Sequence, residues 1–382
     1  MELVEVTEGS TAFFVPEQDE GKNFPPGTAA VFFNRRMELS RDATVLFCSC
    51  VEPRPRDYLD AMGATGVRGL RIANEIGIPV TINDHNPQAI ELIERNMRQV
   101  GCPVELLRRD ARALLSERRF DAVDLDPFGT PAPFVDAGAR GARRYLFVTA
   151  TDTAPLCGAH LKAGMRRYFA RPMNTEYHAE VGLRTLLAFV VREVIKYDRG
   201  IEPLLCFSRE HFFRLHLRFI EGARAADRAL ARVGFVLQCS KCPCREELPG
   251  MIPERKACPY CGDPLVPIGP LWLGSLNDRS LLARVQAHLD HVEIGTKNEL
   301  KKLIEICSEE LDSSSHYDYH VLAKRLKVSP PEIGIVIGRL RDAGYGATRT
   351  HYSGYGIKTD APVDEVLKAV GDRYDPFHQA NR

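Results

Sequence analysis

The feature of this sequence that most constrains its fold is an alternation of short apolar runs with amphipathic helical runs between residues 56 and 152. Pro87 suits the start of one of the intervening helices, because its missing N–H needs no partner there. Strands separated by helices predict right-handed βαβ units and an open parallel sheet of the α/β class. The apolar runs predict five strands, at Tyr58–Met62, Val80–Asp84, Val104–Ala111, Phe120–Pro127 and Arg144–Asp152.

Two further strands are predicted to close this sheet. A helical run at residues 175–197 precedes two apolar-polar alternating runs, Ile201–Glu210 and Phe212–Gly222, with almost no helix between them. Such runs predict an antiparallel hairpin. A seven-stranded sheet with a terminal antiparallel pair resembles the Rossmann-like fold of class I S-adenosylmethionine-dependent methyltransferases. At this level the resemblance concerns the fold and implies no particular substrate.

The length of the chain bounds its organisation. Its 382 residues, 44% of them hydrophobic, suffice for about two or three globular units. We expect a methyltransferase domain over 1–235, a zinc-ribbon insertion over 236–268 and a small α+β domain over 269–382. In the last unit, two helical patterns followed by a hairpin pattern fit a winged helix, and a docking domain without a groove-reading helix fits equally well.

Neither a membrane segment nor a secretory leader is predicted. The sequence has no apolar run of about 18 residues, and its N-terminus lacks the basic-then-apolar order of a signal peptide. Nothing in it indicates an obligate protein partner. We therefore expect a cytoplasmic protein.

The net charge is zero, yet the charges are unevenly distributed. Residues 1–139 carry 15 Lys/Arg against 22 Asp/Glu, residues 140–235 carry 17 against 9, and residues 236–382 carry 19 against 20. A basic middle segment predicts either contacts with nucleic-acid phosphates or a solvated charged face. The cluster within it comprises Arg140, Arg143, Arg144, Lys162, Arg166, Arg167 and Arg171.

Glycines and acidic residues follow the first three predicted strands. The glycines of Asp60–Gly69 let the backbone pass close to a ligand and enter a helix, and their G-x-x-G-x-x-G spacing suits a ligand without phosphates better than a dinucleotide. Asp84 can accept two ribose hydroxyls, and Asp110 with the Ala111 N–H can bind adenine, although each aspartate alone could be a helix cap. The nucleoside site predicted from these positions comprises Gly63, Gly66, Asp84, Asp110 and Ala111.

The fourth strand ends in Asp126-Pro127-Phe128-Gly129. An exocyclic amine on a base is a poor nucleophile, because its lone pair is delocalised into the ring. Asp126 and the Pro127 carbonyl can accept its two hydrogens and free the lone pair for attack on a methyl donor, while Phe128 stacks on the base, worth about 1–3 kcal/mol. Gly129 lets the backbone turn away from the pocket. A turn at Asp-Pro is the plainer explanation, but the position beyond a fourth parallel strand favours catalysis.

Four cysteines have the spacing of a zinc site. Cys239-x-x-Cys242 and Cys258-x-x-Cys261 predict a tetrahedral zinc ribbon with four thiolate ligands, whose metal is structural. The spacer between the pairs is poor in apolar residues, so metal would organise it. Cys244 could exchange with one of the four ligands.

Four segments, taken together, resemble the tRNA (guanine-N2-)-dimethyltransferases of archaea and eukaryotes. They are V-F-F-N-R-R-M-E-L-S-R-D from Val31, D-A-M-G-A-T-G-V-R-G-L-R from Asp60, D-P-F-G from Asp126 and P-L-W-L-G-S-L from Pro270. The resemblance covers almost the whole chain, and the absence of long extensions is typical of the archaeal members. It implies methylation, once or twice, of the N2 amine of guanine 26 in tRNA, with S-adenosyl-L-methionine as cofactor.

The same resemblance implies roles for individual residues. Arg36 would hold the methionine carboxylate of the cofactor and Arg68 would assist, while Asp84 would bind the ribose. Asp110 and Ala111 would bind the adenine, and Asp126 the target amine. Arg35 stands where proline or another residue is expected, which leaves the division of labour between the two adjacent arginines open.

Two other interpretations remain at this stage. An amino-methyltransferase could act on another tRNA guanine, on adenine or on DNA, because bonds to an exocyclic amine do not select the base. A non-catalytic zinc-containing RNA-binding protein would also fit the cysteines and the basic segment.

Overall fold

The computed structural model describes residues 2–17, 30–253 and 256–371. The outer limits of the expected first and third units, Met1 and residues 372–382, lie outside these ranges. Within them, no helix combines the length and apolar character that crossing a bilayer requires.

A seven-stranded sheet forms the centre of the molecule, with strand order β5-β4-β3-β6-β7-β9-β8. Only β9 runs antiparallel to its neighbours; the other six strands are parallel to one another. This confirms the predicted α/β sheet and its terminal hairpin. The strands are β3 (Tyr58–Asp60), β4 (Val80–Asn83), β5 (Glu105–Leu107), β6 (Phe120–Leu125), β7 (Ala142–Ala150), β8 (Arg199–Arg209) and β9 (Phe212–Glu221).

Helices cover both faces of this sheet, and two large apolar clusters fill the layers between. The long helix α8 (His178–Val194) is buried along most of its length, and its apolar residues contribute to one of these clusters. The helices of this part are α1 (Glu38–Cys50), α2 (Val67–Arg71), α3 (Pro87–Val100), α4 (Ala111–Glu117), α5 (Val135–Gly141), α6 (Thr153–Leu156), α7 (Leu161–Tyr168), α8 (His178–Val194) and α9 (Ala223–Leu230). An N-terminal hairpin, β1 (Leu3–Glu8) and β2 (Thr11–Pro16), packs beside α3.

The cysteine-rich part is a three-stranded antiparallel sheet, in the order β11-β10-β12. Its strands are β10 (Val233–Cys239), β11 (Arg245–Pro249) and β12 (Leu265–Trp272). Strand β12 ends at Trp272, whose buried indole belongs to the apolar core under the seven-stranded sheet.

The described C-terminal part contains five α-helices and a small three-stranded sheet. The elements are α10 (Arg279–His288), α11 (Lys297–Glu309), β13 (Tyr317–Asp318), α12 (Tyr319–Leu326), α13 (Ile333–Asp342), β14 (Ala347–Thr350), β15 (Ser353–Thr359) and α14 (Val363–Val370). The order of α12, α13 and the β14–β15 hairpin is that of a winged helix. Arg339 and Arg341 of α13 each donate a hydrogen bond to a backbone carbonyl of the protein itself, so part of each guanidinium is engaged within this domain.

A buried ionic network joins this C-terminal part to α8. Glu180 accepts hydrogen bonds from Arg184 at 2.9 Å and His316 at 2.8 Å, and lies 2.7 Å from the Lys358 ammonium. Arg184 also donates to the carbonyls of Trp272 and Gly274, which lie in the P-L-W-L-G-S-L segment. That segment is therefore a structural connector in which backbone carbonyls satisfy a buried guanidinium.

Candidate active site

The predicted acidic residues meet at the carboxyl edge of the seven-stranded sheet. Asp60 ends β3, Asp84 follows β4, Asp110 follows β5 and Asp126 follows β6. These four strands are parallel neighbours, so their carboxyl ends share one edge. Ligands of open α/β sheets bind at such an edge.

The glycine-rich loop is held against β4 by close packing. A Cβ atom on Gly63 would lie 2.4 Å from Ile82 Cγ2, and one on Gly69 would lie 2.5 Å from Ile82 Cγ1. Gly66 has a positive φ of 79°, which glycine adopts without strain as α2 begins. The Asp84 carboxylate accepts the Ala64 N–H at 2.9 Å and so fixes the loop to the end of β4. Packing against β4 is thus a requirement for glycine that the sequence pattern alone does not reveal.

A cavity of about 360 Å³ opens beside this loop. It lies between the loop, the start of the chain's first helical segment and the end of β6. Its walls are both apolar and polar, as ligand sites usually are. The lining residues are Phe32, Phe33, Asn34, Met37, Arg41, Asp60, Met62, Gly63, Ala64, Thr65, Val67, Arg68, Asp126, Pro127, Phe128, Thr151 and His211.

Arg68 lies at the centre of the charges below this cavity. Its guanidinium donates to Asp126 Oδ2 and lies 3.7 Å from Asp124 Oδ2, and its side chain is only 5% exposed. Asp124 is bound in turn by Arg214 through both carboxylate oxygens and by the Tyr58 hydroxyl at 2.6 Å. Burial opposes ionisation of Asp124, but Arg214 and Arg68 outweigh it and hold its pKa well below the usual range. The contacts thus make Arg68 a partner of Asp126.

Asp60 is the carboxyl group with the raised pKa in this site. It is buried in the cavity wall and accepts the Gly69 N–H at 3.0 Å. Burial raises its pKa to about 7; Arg68 opposes the rise, and the nearby charges of Asp124 and Asp126 add to it. Sequence reasoning treated Asp60 only as the start of the glycine-rich loop.

The D-P-F-G segment turns sharply as it leaves β6. Gly129 has a φ of +83°, and its N–H donates to the Thr151 hydroxyl at 2.9 Å. Pro127 is buried, whereas the Phe128 ring is 74% exposed at the rim of the cavity. The Phe32 ring meets Phe128 edge-on, with 5.4 Å between the ring centroids. Two aromatic rings therefore line the same cavity as Asp126.

Residues 32–37, here called the N-terminal arm, and the turn between β8 and β9 form the opposite wall of the cavity. Asn34 caps the short 3-10 helix Arg35–Met37 and lies 3.4 Å from His211 Nε2. Arg36 is half exposed and lies 3.7 Å from Glu210 in the same turn. Burial and the charge of Arg36 lower the pKa of His211, against the effect of Glu210, so its imidazole is neutral at physiological pH.

Asp110 caps α4 in this structure. It accepts the N–H groups of Arg112 and Ala113, and its carboxylate also pairs with the Arg112 guanidinium at 2.8 Å. Ala111 is buried as the first residue of α4, at the same edge of the sheet. Asp110 is therefore a helix cap, as one of the two interpretations of the sequence expected. Adenine binding would be a second role of the same side chain.

The structure brings only part of the predicted set to the cavity wall. Gly63, Arg68, Asp126, Pro127 and Phe128 line it. Arg36, Gly66, Asp84, Asp110, Ala111 and Gly129 lie around it without forming its surface. The lining residues that sequence reasoning missed include Phe32, Asn34, Asp60, Thr151 and His211. Of these, Phe32 and Asn34 belong to the V-F-F-N-R-R segment, which could have indicated them.

The four predicted metal ligands form a cluster at one end of the β10–β12 sheet. The Sγ atoms of Cys239 and Cys261 lie 3.4 Å apart, as do those of Cys242 and Cys258, and all four lie within 4.8 Å of one another. A tetrahedral zinc site with Zn–S bonds of about 2.3 Å has sulfur–sulfur edges of about 3.8 Å. Cys244 is outside this group, and its carbonyl accepts the Cys239 N–H. The donor set therefore fits zinc.

The sheet order, the single antiparallel strand and the acidic carboxyl edge define the class I S-adenosylmethionine-dependent methyltransferase fold. Comparison with known families makes this more specific. The chain belongs to the N2,N2-dimethylguanosine tRNA methyltransferase family, whose model matches residues 9–371. This confirms the resemblance seen in the sequence.

Similar proteins include close relatives from methanogenic archaea. One from Methanoregula boonei, named tRNA (guanine(26)-N(2))-dimethyltransferase, is 62% identical over 376 residues, covering 98% of this chain and 100% of the relative. One of the same name from Methanoculleus marisnigri is 62% identical, covering 97% and 99%. Among solved structures, Trm1 from Pyrococcus horikoshii in complex with S-adenosyl-L-methionine is 35% identical with a TM-score of 0.87, covering 96% of this chain and 100% of that one.

Proposed function

We propose that this chain is a tRNA methyltransferase that transfers one or two methyl groups from S-adenosyl-L-methionine to the exocyclic N2 amine of guanine 26. The observation that carries the proposal is the Asp126 carboxylate at the end of β6. Arg68 binds its Oδ2 atom, and within the described ranges Oδ1 has no hydrogen-bond partner. Family membership and the names of the relatives support the same reaction, and a tRNA substrate supports a cytoplasmic location.

The cavity fits the cofactor in size and chemistry. Its volume of about 360 Å³ falls within the range of about 300–1,000 Å³ typical of small-molecule sites. We propose that the backbone of Gly63 and Gly66 lies against the cofactor and that Asp84 accepts its ribose hydroxyls, since each carboxylate oxygen can accept a second bond. Asp110 and the first N–H of α4, that of Ala111, would bind the adenine.

Arg36 is the proposed partner of the cofactor's carboxylate. Its guanidinium is half exposed beside the cavity, and one of its neighbours, the Glu210 carboxylate, lies at the long distance of 3.7 Å. That surface pair is weak, because exposed ion pairs contribute only about 0–1 kcal/mol. When bound, the cofactor supplies a methyl group carried on a positively charged sulfur.

The target amine would be held by Asp126 and Pro127. Asp126 Oδ1 accepts one amine hydrogen and the Pro127 carbonyl, which receives no N–H from the described residues, accepts the other. Both bonds draw the nitrogen toward a tetrahedral shape, so its lone pair becomes available to the methyl carbon. As the new N–C bond forms and the methyl–sulfur bond breaks, the amine nitrogen would become positively charged and would then give its N–H proton to Asp126 Oδ1. Most of the rate follows from holding amine and methyl in line.

Phe128, Phe32 and Gly129 are proposed to position the base, and Arg68 to position the Asp126 carboxylate. Phe128 and Phe32 present aromatic faces to the ring of an extruded base, and Gly129 provides the turn that leaves Phe128 exposed. Arg68 fixes one Asp126 oxygen, which directs the other toward the substrate. The contacts favour this role for Arg68 over the expected help with the cofactor carboxylate.

The zinc ribbon is proposed to be structural. Four thiolates would fill the coordination shell and leave no open position for substrate. Its sheet packs against the C-terminal part through Phe235, Leu237 and the buried Cys244. Zinc held by Cys239, Cys242, Cys258 and Cys261 would thus stabilise the surface on which the C-terminal part rests.

Asp126→Ala tests the proposal directly. The variant should bind S-adenosyl-L-methionine as the wild type does in calorimetry, yet lose methyl transfer to a tRNA transcript by about 100-fold or more, as is typical when a preorganised hydrogen-bonding group is removed. Asp136→Ala is the matched control, since Asp136 is a surface acid paired with Arg140 and Lys196.

Mass spectrometry of the nucleosides, with a transcript lacking guanine 26 in parallel, identifies the product and its position. Full activity of Asp126→Ala, or a wild-type product methylated elsewhere than on guanine N2, contradicts the proposal.

A further inference from the structure

Helix α7 lies next to the proposed catalytic segment. It follows the carboxyl end of β7, so it belongs to the same edge of the sheet as Asp126. The Tyr168 hydroxyl at its end lies 2.8 Å from Thr130 Oγ1 and donates to Asp152 Oδ1 at 2.6 Å. Thr130 directly follows Gly129, so one side chain links α7 to the D-P-F-G turn.

The segment around α7 carries several cations of the basic middle segment that have no carboxylate partner. No Asp or Glu occurs from Thr153 to Thr175. Lys162, Arg166 and Arg171 are exposed, and none of them forms an ion pair with a residue of the described ranges.

Other basic residues of the same region are neutralised. Arg140 pairs with Asp136, Arg144 with Asp121 and Arg199 with Glu221. The sequence count of +8 therefore overstates the charge that this region offers to a ligand. Within the described ranges, Lys162, Arg166 and Arg171 form one group of exposed cations without an ion pair, and Arg224, Arg228 and Arg232 at α9 form another. Of the two groups, the one at α7 follows the carboxyl end of β7.

An exposed aromatic ring stands among these cations. Phe169 ends α7 in the left-handed region, with a φ of 48°, and its side chain is 69% exposed. Glycine is the usual residue at such a helix end, since a side chain is strained there. Arg192 donates to the carbonyls of both Tyr168 and Phe169 and so fixes the backbone. The helix end itself does not require a phenyl ring at this position, because glycine would fit the positive φ and the ring is exposed to solvent.

We propose that the α7 face, formed by Lys162, Met165, Arg166, Phe169 and Arg171, binds the tRNA strand that flanks the methylated guanine. The cations contact backbone phosphates, and Phe169 stacks on a neighbouring base, which loses its own stacking partner when the target is extruded. Interleaved cations and an aromatic ring are the features with which proteins hold unpaired RNA. This proposal rests on the proposed function and names the surface that delivers its substrate.

Three variants test the α7 face. Lys162→Glu with Arg166→Glu should weaken tRNA binding and reduce the slope of log Kd against log salt by about one for each phosphate that the protein no longer neutralises. Phe169→Gly should melt no lower than the wild type, because glycine suits the positive φ, yet weaken tRNA binding about 5- to 100-fold. Phe169→Tyr keeps the aromatic face and should retain the wild-type affinity.

Arg98→Glu is the control. Arg98 is an exposed cation in the last turn of α3, a helix that runs back toward the opposite edge of the sheet. It should leave tRNA affinity unchanged, and none of the variants should alter the Kd for S-adenosyl-L-methionine.

The two proposals fail in different experiments. Equal tRNA affinity of wild type, Phe169→Gly and the double charge reversal overturns the α7 face, whatever the methylation assay shows. A wild type that binds tRNA through this face but adds no methyl group overturns the proposed function alone. A loss of affinity in Phe169→Tyr equal to that in Phe169→Gly also contradicts the stacking role.

Discussion

Replacing Gly63 with alanine is expected to destabilise the sheet and to displace the glycine-rich loop, which is proposed to bind the cofactor. The added Cβ would lie 2.4 Å from Ile82 Cγ2 and 3.4 Å from Ile93 Cδ1. Non-bonded carbons pack at about 3.5–4.0 Å, so the loop and β4 must separate by about 1 Å. Ile82 is fully buried in a strand with neighbours on both sides and cannot move alone. Overpacking of this kind typically costs about 1–3 kcal/mol.

Two substitutions of Ile82 separate this cause from a general loss of packing. Ile82→Ala removes Cγ2, whereas Ile82→Val keeps it and removes only Cδ1. Alone, they should cost about 2–5 and about 0.5–1.5 kcal/mol, respectively. The cost of Gly63→Ala should disappear with alanine at position 82 and persist with valine, which gives a coupling free energy of about 1–3 kcal/mol in the first cycle only.

The assay is urea unfolding followed by the fluorescence of Trp272, the one tryptophan of the chain, which is 4% exposed in the core under the sheet. Calorimetry measures the accompanying rise in Kd for S-adenosyl-L-methionine. A cost of Gly63→Ala below about 0.5 kcal/mol, the range of an ordinary surface substitution, would contradict a clash with Ile82. An equal cost in the Ile82→Ala and Ile82→Val backgrounds would also contradict it.

Three further outcomes follow from the geometry. Protein purified without added metal should contain about one zinc per chain; Cys258→Ser should lose it and Cys244→Ser keep it in elemental analysis, and a folded, active, metal-free wild type would disprove the site. Burial raises the pKa of Asp60 from 3.8 to about 7, so the contribution of Asp60 to stability falls as the pH rises from about 4 to about 7 and is constant above that. The unfolding free energy of Asp60→Asn should therefore increase relative to that of the wild type between pH 5 and pH 8. A difference that does not change with pH would contradict this. Lys358→Met should destabilise the protein by about 3–5 kcal/mol, because it removes the cation between two buried carboxylates; an unchanged melting temperature would show that the network is not buried as described.

The sheet could be predicted from the sequence because each of its units is local. Periodicity within ten to twenty residues marks a strand or helix, and the handedness of βαβ connections then brings the carboxyl ends to one edge. Boundaries were less certain: the run Val104–Ala111 yields only the strand Glu105–Leu107, since Asp110 leaves the strand to cap α4. The Cys-x-x-Cys pairs were predictable for the same reason, as their ligand spacing is set by short turns.

The partners of Asp126, the proposed catalytic group, could not be predicted, because they are distant in sequence and depend on tertiary packing. Arg68 reaches Asp126 across 58 positions, and Arg214 reaches Asp124 across 90. His211 enters the cavity wall only because the β8–β9 turn lies beside the N-terminal arm. No periodic pattern carries such pairings, and so the sequence placed Arg68 with the cofactor while the structure places it against Asp126.

The buried network between α8 and the C-terminal part has a mechanical consequence. Separating Glu180 from Lys358 and His316 would leave buried charges without their partners. Because an unpaired buried charge is costly, hinge motion between α8 and the C-terminal part is strongly opposed. The span from the C-terminal part to the pocket is then a fixed length. An RNA that touches both must supply any bending itself, and the choice among its guanines becomes a matter of the stiffness and shape of the RNA.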